Sequence, residues 1–347
     1  MASIRFDPSE YYKRQMALRE LGREGQERLR RSKVAVVGLG GLGSPAATYL
    51  ALAGIGHLRL VDQDTVELHN LHRQTLYTID ELRFPKAEVA AKRIAKMNPD
   101  VEVEPISDNL REDNVDGILE GVDCVVDGLD NMRTRYIVNK ACARRGIPYV
   151  YAAVIGLEGC LSVFKPPETP CLECVFPNLD DRNLPSCETR GILGATAGIV
   201  GAMEAMEAIK LLAGIGSIKG SLLICDFADM YISKVEISKN PRCPVCGEGE
   251  EKGAVGAPER LAWLCGRGTV NVNPREPLDL SIEEMHDRLS GNFKILLRSP
   301  FVVVFERDGI EVSLFKGGRM LMKNVKDEEN ALEVYEEVMG CLRAGHG

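Results

Sequence analysis

The chain has 347 residues, 45% of them hydrophobic and 27% charged, enough for two domains or for one large α/β domain with an appendage. A formal net charge of -8 argues against general binding to nucleic acid or anionic membrane, because the long-range field repels polyanions, while leaving room for a local basic pocket. Eleven cysteines, an odd count in a large chain without an export signal, argue against a disulfide framework; a cytoplasmic protein is expected, with no membrane span, since apolar stretches such as Ile192 to Met203 are broken by glycine.

Residues 1–32 read as short helices rich in Arg and Glu, a solvated cover rather than a core element. Lys33 to Gly38 (KVAVVG) is a β-branched run expected to be a strand buried on both faces of a parallel sheet. A glycine loop follows, then a small-residue helix from Ser44 to Ala53 and a second strand, His57 to Asp62, that ends in acid. Further alternation is expected: a helix from Pro85 to Met97, a strand Val101 to Ile106, a helix around Asn109 to Leu119, a strand Asp123 to Asp127, a helix Met132 to Arg145 and a strand Pro148 to Ala153. This pattern predicts an α/β fold, a doubly wound, Rossmann-like, mostly parallel sheet.

Gly159 to Lys165, Ser221 to Phe227 and Tyr231 to Ile237 read as additional strands, with a long helix, Thr196 to Ala213, between them. The linker is placed at 250–258 within a Gly- and Glu-rich stretch. Beyond it, Ser281-x-x-Glu284 opens a helix as a capping box, and Asp308-Gly309 and Gly317-Gly318 separate strand-like runs into two hairpins before a final helix over 327–339. The expected organisation is therefore an N-terminal helical segment (1–32), a nucleotide-binding domain (33–249), a linker (250–258) and a small α+β domain (259–347) without a catalytic constellation of its own.

Gly38-x-Gly40-Gly41-x-Gly43 follows a buried strand and opens a helix, so backbone N–H groups and the helix dipole can face phosphates. Asp62, about twenty residues on, is placed to accept hydrogen bonds from ribose hydroxyls. The motif alone does not separate NAD from ATP. Asp64, Asn70, Arg73, Gln74 and Lys86 crowd into one stretch with two fixed positive charges, and Asp130, next to Asn131 and just past the strand end Asp127, is suited to a divalent ion that bridges phosphates. That polar content favours ATP over an apolar floor for nicotinamide. Taken singly, Arg73 or Lys86 would more often be a solvated surface charge.

The runs Arg14-Gln15, Gly38 to Gly43, Asp62-Gln63-Asp64, Asn70-Leu71-His72-Arg73-Gln74, Pro85-Lys86 and Asp130-Asn131 with Arg135, followed by two Cys-x-x-Cys pairs, resemble the MoeB/ThiF/HesA adenylyltransferases, relatives of ubiquitin-activating enzymes. The resemblance spans roughly residues 10–247. It implies an enzyme that binds MgATP and activates the C-terminal glycine carboxylate of a ubiquitin-like protein ending in Gly-Gly, releasing pyrophosphate. It further implies that Asp62 holds the ribose, that Asn70, Arg73 and Lys86 hold the phosphates, and that Asp130 holds Mg²⁺. Arg14 resembles the arginine that reaches the phosphates of a partner subunit, which implies a homodimer.

Cys171-x-x-Cys174 and Cys243-x-x-Cys246 have the spacing of a four-thiolate Zn²⁺ site, closed to water and therefore structural; together with the resemblance this outweighs the alternative of redox-active pairs. Cys187 lies in a polar segment, Asp180 to Arg190, where Arg182 and Arg190 would favour its thiolate. In the family a cysteine there is dispensable, persulfide-forming or thioester-forming, and an ordinary loop cysteine is the competing reading. Cys124, Cys142, Cys160 and Cys225 read as small buried thiols, and His57, His69 and His72 lack metal-type spacing.

The expected activity is ATP-dependent adenylation of a ubiquitin-like sulfur carrier or modifier in molybdopterin, thiamine or tRNA thiolation, or in protein conjugation, with a sulfurtransferase or cysteine desulfurase as a further partner. The rivals are an NAD-dependent oxidoreductase, a tRNA-modifying dehydratase using the same adenylation step, and a non-catalytic docking protein, against which Arg73, Lys86 and Asp130 together argue.

Overall fold

The computed structural model describes residues 6–184, 187–249, 261–264, 268–274 and 278–343, the side chains of Cys187 and Glu188 excepted. The predicted linker, 250–258, lies outside the described residues. The chain divides into two units, one of Met1–Glu81 with Lys86–Gly253 and one of Leu82–Pro85 with Ala254–Gly347.

The first unit opens with α1 (Pro8–Tyr11), α2 (Lys13–Met16) and α3 (Gly22–Arg31). These are not the solvated cover expected from the sequence. Tyr12, Leu21 and Leu29 are buried, and Leu21, Gly25, Gln26 and Leu29 recur at helical spacing beneath the charged face. Gln26 Nε2 and Gln15 Nε2 both donate to the Ala53 carbonyl, at 2.9 and 2.8 Å.

Then follow β1 (Lys33–Val37), α4 (Gly43–Ala53), β2 (His57–Val61), α5 (Lys86–Met97), β3 (Glu102–Ile106), α6 (Val115–Ile118), β4 (Cys124–Asp127), α7 (Met132–Arg145), β5 (Tyr149–Ile155), β6 (Glu158–Phe164), α8 (Leu172–Val175), α9 (Cys187–Arg190), α10 (Gly194–Ala213), β7 (Ser221–Asp226) and β8 (Tyr231–Glu236). The eight strands lie in the order β3-β2-β1-β4-β5-β6-β7-β8. Pairing is parallel from β3 to β5 and antiparallel from β5 to β8. This is the mostly parallel, doubly wound α/β sheet with additional strands that the alternation predicts, and the order reverses between β1 and β4.

The central strands β1, β2 and β4 are buried on both faces, whereas β3 and β8 at the edges are partly or largely exposed. Ala35, Val37, Val125, Tyr149 and Phe164 pack with Val138 and Cys142 of α7 and Leu172 of α8. On the other face α10 packs against α4, β4, β5 and β6. Only Val115–Ile118 of the expected helix around Asn109 to Leu119 forms. Asn114 Oδ1 accepts from the Arg111 N–H (2.7 Å) and its Nδ2 donates to the Asn109 carbonyl (2.9 Å), so side chains take backbone groups that a helix would need.

Glu204 is buried on α10, and neither carboxyl oxygen has a hydrogen-bond partner among the described residues. Burial first, and the Asp127 charge second, push its pKa well above the ordinary value of 4.5, with Arg135 pulling the other way. The folded protein thus keeps a proton that the unfolded chain releases. The associated stability is full below about 4.5 and is lost as pH rises toward the folded pKa. Glu204→Gln is therefore expected to remove a decline in melting temperature between pH 5 and pH 8 that the wild type shows. Parallel curves for the two proteins would contradict the neutral buried acid. Glu204→Met, which also deletes an unsatisfied buried group, should stabilise by about 1–3 kcal/mol.

The second unit carries β9 (Leu261–Trp263), β10 (Val270–Val272), α11 (Ile282–Ser290), β11 (Lys294–Arg298), β12 (Val302–Arg307), β13 (Ile310–Phe315), β14 (Met320–Lys323) and α12 (Glu328–Arg343). Its sheet is antiparallel throughout, in the order β11-β12-β13-β14-β10-β9. Met285 and Leu289 of α11 and Val334, Tyr335 and Val338 of α12 cover one face. Ser281 caps α11 as the capping box predicts.

Candidate active site

At the switch point the loops after β1 and β4 touch. A Cβ on Gly38, whose φ is +86°, would lie 2.5 Å from the Gly128 carbonyl oxygen, and one on Gly43 would lie 1.8 Å from the Gly38 oxygen. No other residue fits there, so the glycine loop and the turn carrying Asp130 close on one another at the carboxyl ends of the strands.

Asp62, at the end of β2, holds this loop from beneath. Its Oδ2 accepts from the Leu39 N–H (2.7 Å) and its Oδ1 from the Asp64 N–H (2.8 Å). Burial pushes the carboxyl up to about 6, against the pull of Lys86 and of those two N–H donors, while Asp64 adds to the rise. Lys86 opens α5 and is itself buried. Its ammonium is 3.0 Å from Asp64 Oδ2, and its N–H donates to the Asp64 carbonyl at 2.9 Å. Burial disfavours the charged lysine, but the Asp64 and Asp62 carboxylates outweigh it and keep the pKa above the ordinary lysine value.

Arg73 and Asn70 form a second group against the loop. Arg73 donates to the His69 carbonyl (2.8 Å) and, at 3.4 Å, to Asn70 Oδ1. Its Cγ and Cδ would be 3.6 Å from a Cβ on Gly41. Gln74 Nε2 donates to Asn70 Oδ1 at 2.6 Å and lies 3.7 Å from where a Gly40 Cβ would be. Gln74 Oε1 is buried with no partner among the described residues, an acceptor beside the glycine loop.

Beyond β4, Asp127 Oδ1 accepts from the Leu129 N–H (2.8 Å), and Arg135 donates to Asp127 Oδ2 (3.0 Å) and to the Leu129 carbonyl (2.7 Å). Tyr149 Oη donates to Asp127 at 2.5 Å. This buried frame fixes the turn that presents Asp130, which is exposed and accepts from Asn131 Nδ2 at 3.1 Å. Sequence reading missed Ser44 and Tyr77, whose hydroxyls donate to the Leu39 carbonyl at 2.7 and 3.0 Å. Neither belongs to a spaced motif, so no sequence signal marks them.

Arg14 lies exposed on α2, on a different element from the other candidates. The Cys187 backbone opens α9, and its side chain lies outside the described residues. The two arginines expected to assist it are committed elsewhere: Arg182 to Asp180 at 2.6 Å and Arg190 to Glu158 at 2.8 Å.

Cys171, Cys174, Cys243 and Cys246 bring four sulfurs within 4.8 Å of one another, an arrangement able to hold a metal ion. Neighbouring sulfurs are 3.9 Å (Cys171–Cys174), 3.6 Å (Cys171–Cys243) and 3.4 Å (Cys174–Cys246) apart. The Asn240 and Val245 N–H groups point at Cys174 and Cys243 sulfurs, at 3.5 and 3.4 Å. Cys124, Cys142 and Cys225 are buried, as expected, and Cys160 is partly so.

Residues 12–245 match the ThiF family. The chain belongs to that family. Its curated relatives include a SAMP-activating enzyme E1 of Haloferax volcanii, 45% identical over 69% of this chain and 88% of the relative. A sulfur carrier protein adenylyltransferase of Thermus thermophilus is 44% identical over 68% of this chain and 90% of the relative. Among solved structures, E. coli MccB superposes with a TM-score of 0.63 at 23% identity, covering 72% of this chain and 76% of that one; this likeness concerns the fold alone. The resemblance read from the motifs is thus borne out, and relatives named as activating enzymes and adenylyltransferases favour adenylation over the oxidoreductase and dehydratase readings. No helix among the described residues of this ThiF-family chain is long and apolar enough to cross a membrane.

Proposed function

We propose that this ThiF-family enzyme uses MgATP to adenylate the C-terminal glycine carboxylate of a ubiquitin-like sulfur carrier or modifier ending in Gly-Gly. The observation that supports the reading is that the glycine loop packs against the Asp62–Asp64–Lys86 group, the Asn70–Arg73–Gln74 group and the turn that carries Asp130. A carboxylate oxygen of the acceptor bonds to the α-phosphorus, the bond to the β-phosphate oxygen breaks, and pyrophosphate leaves with the electron pair. The protein's task is to position and to neutralise charge. Asp62 orients the ribose, Lys86 and Arg73 meet the phosphates, Asn70 sets the angle of Arg73, and the orphaned Gln74 acceptor is suited to a nucleotide N–H or O–H donor. The exposed Asp130 carboxylate suits Mg²⁺, which when bound neutralises phosphate oxygens.

The four cysteine sulfurs fit Zn²⁺: a tetrahedral ion with Zn–S bonds of ~2.3 Å requires sulfurs about 3.8 Å apart. A closed shell of this kind is structural. The reading further includes a homodimer in which Arg14 reaches the partner's phosphates, a cytoplasmic location, a thioester or persulfide step at Cys187, and a sulfurtransferase or cysteine desulfurase as sulfur source.

ATP–pyrophosphate exchange with candidate acceptors tests the reading. Exchange should require an acceptor ending in Gly-Gly and disappear in Asp130→Ala, whereas tight NADH binding without affinity for MgATP would sink it. Because burial pushes the Asp62 carboxyl up to about 6, protonation as pH falls through that value removes the negative charge that strengthens its acceptance from the ribose. MgATP should therefore bind about tenfold more weakly at pH 5 than at pH 7.5, one unit below the pKa leaving about a tenth of the carboxylate. A dissociation constant that stays flat over this range would remove Asp62 from the nucleotide site.

A further inference from the structure

The segment between α8 and α10 leads from the cysteine cluster to the glycine loop, and its described residues are tied down at both ends. Upstream, Tyr136 Oη of α7 donates to the Phe176 carbonyl (2.7 Å) and accepts from the Leu179 N–H (2.8 Å). Downstream, the Gly156 N–H donates to the Gly191 carbonyl (2.9 Å), the Leu193 N–H to the Gly156 carbonyl (3.3 Å), and Arg190 pairs with Glu158.

One contact differs from these in kind. The Asp181 carboxylate reaches back 49 residues and takes the first two amides of α7, Met132 N–H on Oδ1 at 2.6 Å and Arg133 N–H on Oδ2 at 3.1 Å. Asn131 Oδ1 takes the next, from Thr134, at 2.9 Å. The three leading N–H groups of a fourteen-residue helix are thus satisfied by side chains, and the dipole faces a carboxylate from another segment. These amides begin two residues after Asp130.

We infer that Asp181 is a positioning residue: its grip on the first turn of α7 fixes the segment leading into Cys187 beside the Asp130 turn, where the adenylate would form. The geometry stands by itself; its purpose rests on the adenylation reading and on the Cys187 step proposed with it. Loss of the carboxylate frees the strand of chain around 178–184 while leaving the Asp127–Arg135 frame beneath Asp130 intact, so adenylation and transfer to Cys187 should part company.

The test is amide hydrogen exchange and peptide-resolved alkylation of Cys187 by iodoacetamide on the full chain, as wild type, Asp181→Ala and Asp181→Asn, with and without MgATP. In Asp181→Ala, exchange at 132–133 and 178–184 and the alkylation rate should rise about tenfold, the scale of a lost helix cap. Asp181→Asn, which keeps one acceptor oxygen, should fall between. Acceptor-dependent pyrophosphate exchange should stay within about twofold, while acyl or sulfur capture at Cys187 falls. Unchanged exchange at 178–184 and unchanged alkylation in Asp181→Ala would overturn the inference. MgATP protection of 38–43 in both proteins keeps the two claims separable: its absence would count against the nucleotide site and leave the Asp181 contact standing.

Discussion

Lys86→Met is expected to lower acceptor-dependent ATP–pyrophosphate exchange by at least about a thousandfold, on two counts. The first is direct, since a fixed cation that would meet developing phosphate charge is lost. The second comes from the folded protein itself. Lys86 is buried against Asp64 at 3.0 Å and holds down the pKa of Asp62, which burial already lifts to about 6. Asp64 keeps 38% of its side chain exposed, so water screens the charge left behind and removing Lys86 costs less stability than breaking a fully buried pair. Asp62 and Asp64 then share one site without a cation, and at neutral pH a proton is taken up where the ribose needs an acceptor. The check is exchange kinetics alongside MgATP titration: both rate and affinity should fall, and part of the affinity should return at higher pH. A variant with unchanged affinity would mean that Lys86 serves only the fold.

Disrupting the four-cysteine cluster is the second large effect. Cys171 and Cys174 precede the segment that contains Asp181, and Cys243 and Cys246 follow β8, so one ion would clamp two stretches about seventy residues apart. Cys174→Ser with Cys246→Ser should abolish bound zinc and cost at least about 4 kcal/mol, a fraction of what a structural zinc contributes. For a chain of this size that is a fall of about 10 °C in melting temperature. Elemental analysis and thermal scans with and without chelator provide the measurement. A metal-free wild type that melts at the same temperature, or a pair that cycles between thiol and disulfide, would contradict a structural metal.

The first unit was legible because buried parallel strands are written as short β-branched runs with glycine or acid at their ends, as in KVAVVG and HLRLVD. The proposed site was legible where polar residues follow the strand ends: Asp62, Arg73, Lys86 and Asp130 each sit in a spaced motif. What stayed hidden depends on partners distant in sequence. Asp181 gives no sign of capping α7, and Ser44 and Tyr77 converge on Leu39 from positions with no shared spacing. Arg182 and Arg190 pair with Asp180 and Glu158, the former two residues away in the chain and the latter 32 away. In the second unit β12, β13 and β14 follow their turn signals, but β9 and β10 have three residues each and β11 is only half buried, too short and too mixed for periodicity to mark.

The central claim is that carboxylate activation takes place beside the glycine loop and the Asp130 turn. The most direct measurement is mass spectrometry of a ubiquitin-like protein ending in Gly-Gly after incubation with the enzyme, ATP and Mg²⁺. An AMP adduct confined to its C-terminal glycine, absent with Asp130→Ala or Lys86→Met, is the expected result. An unmodified acceptor across all such candidates, with ATP intact, would contradict it.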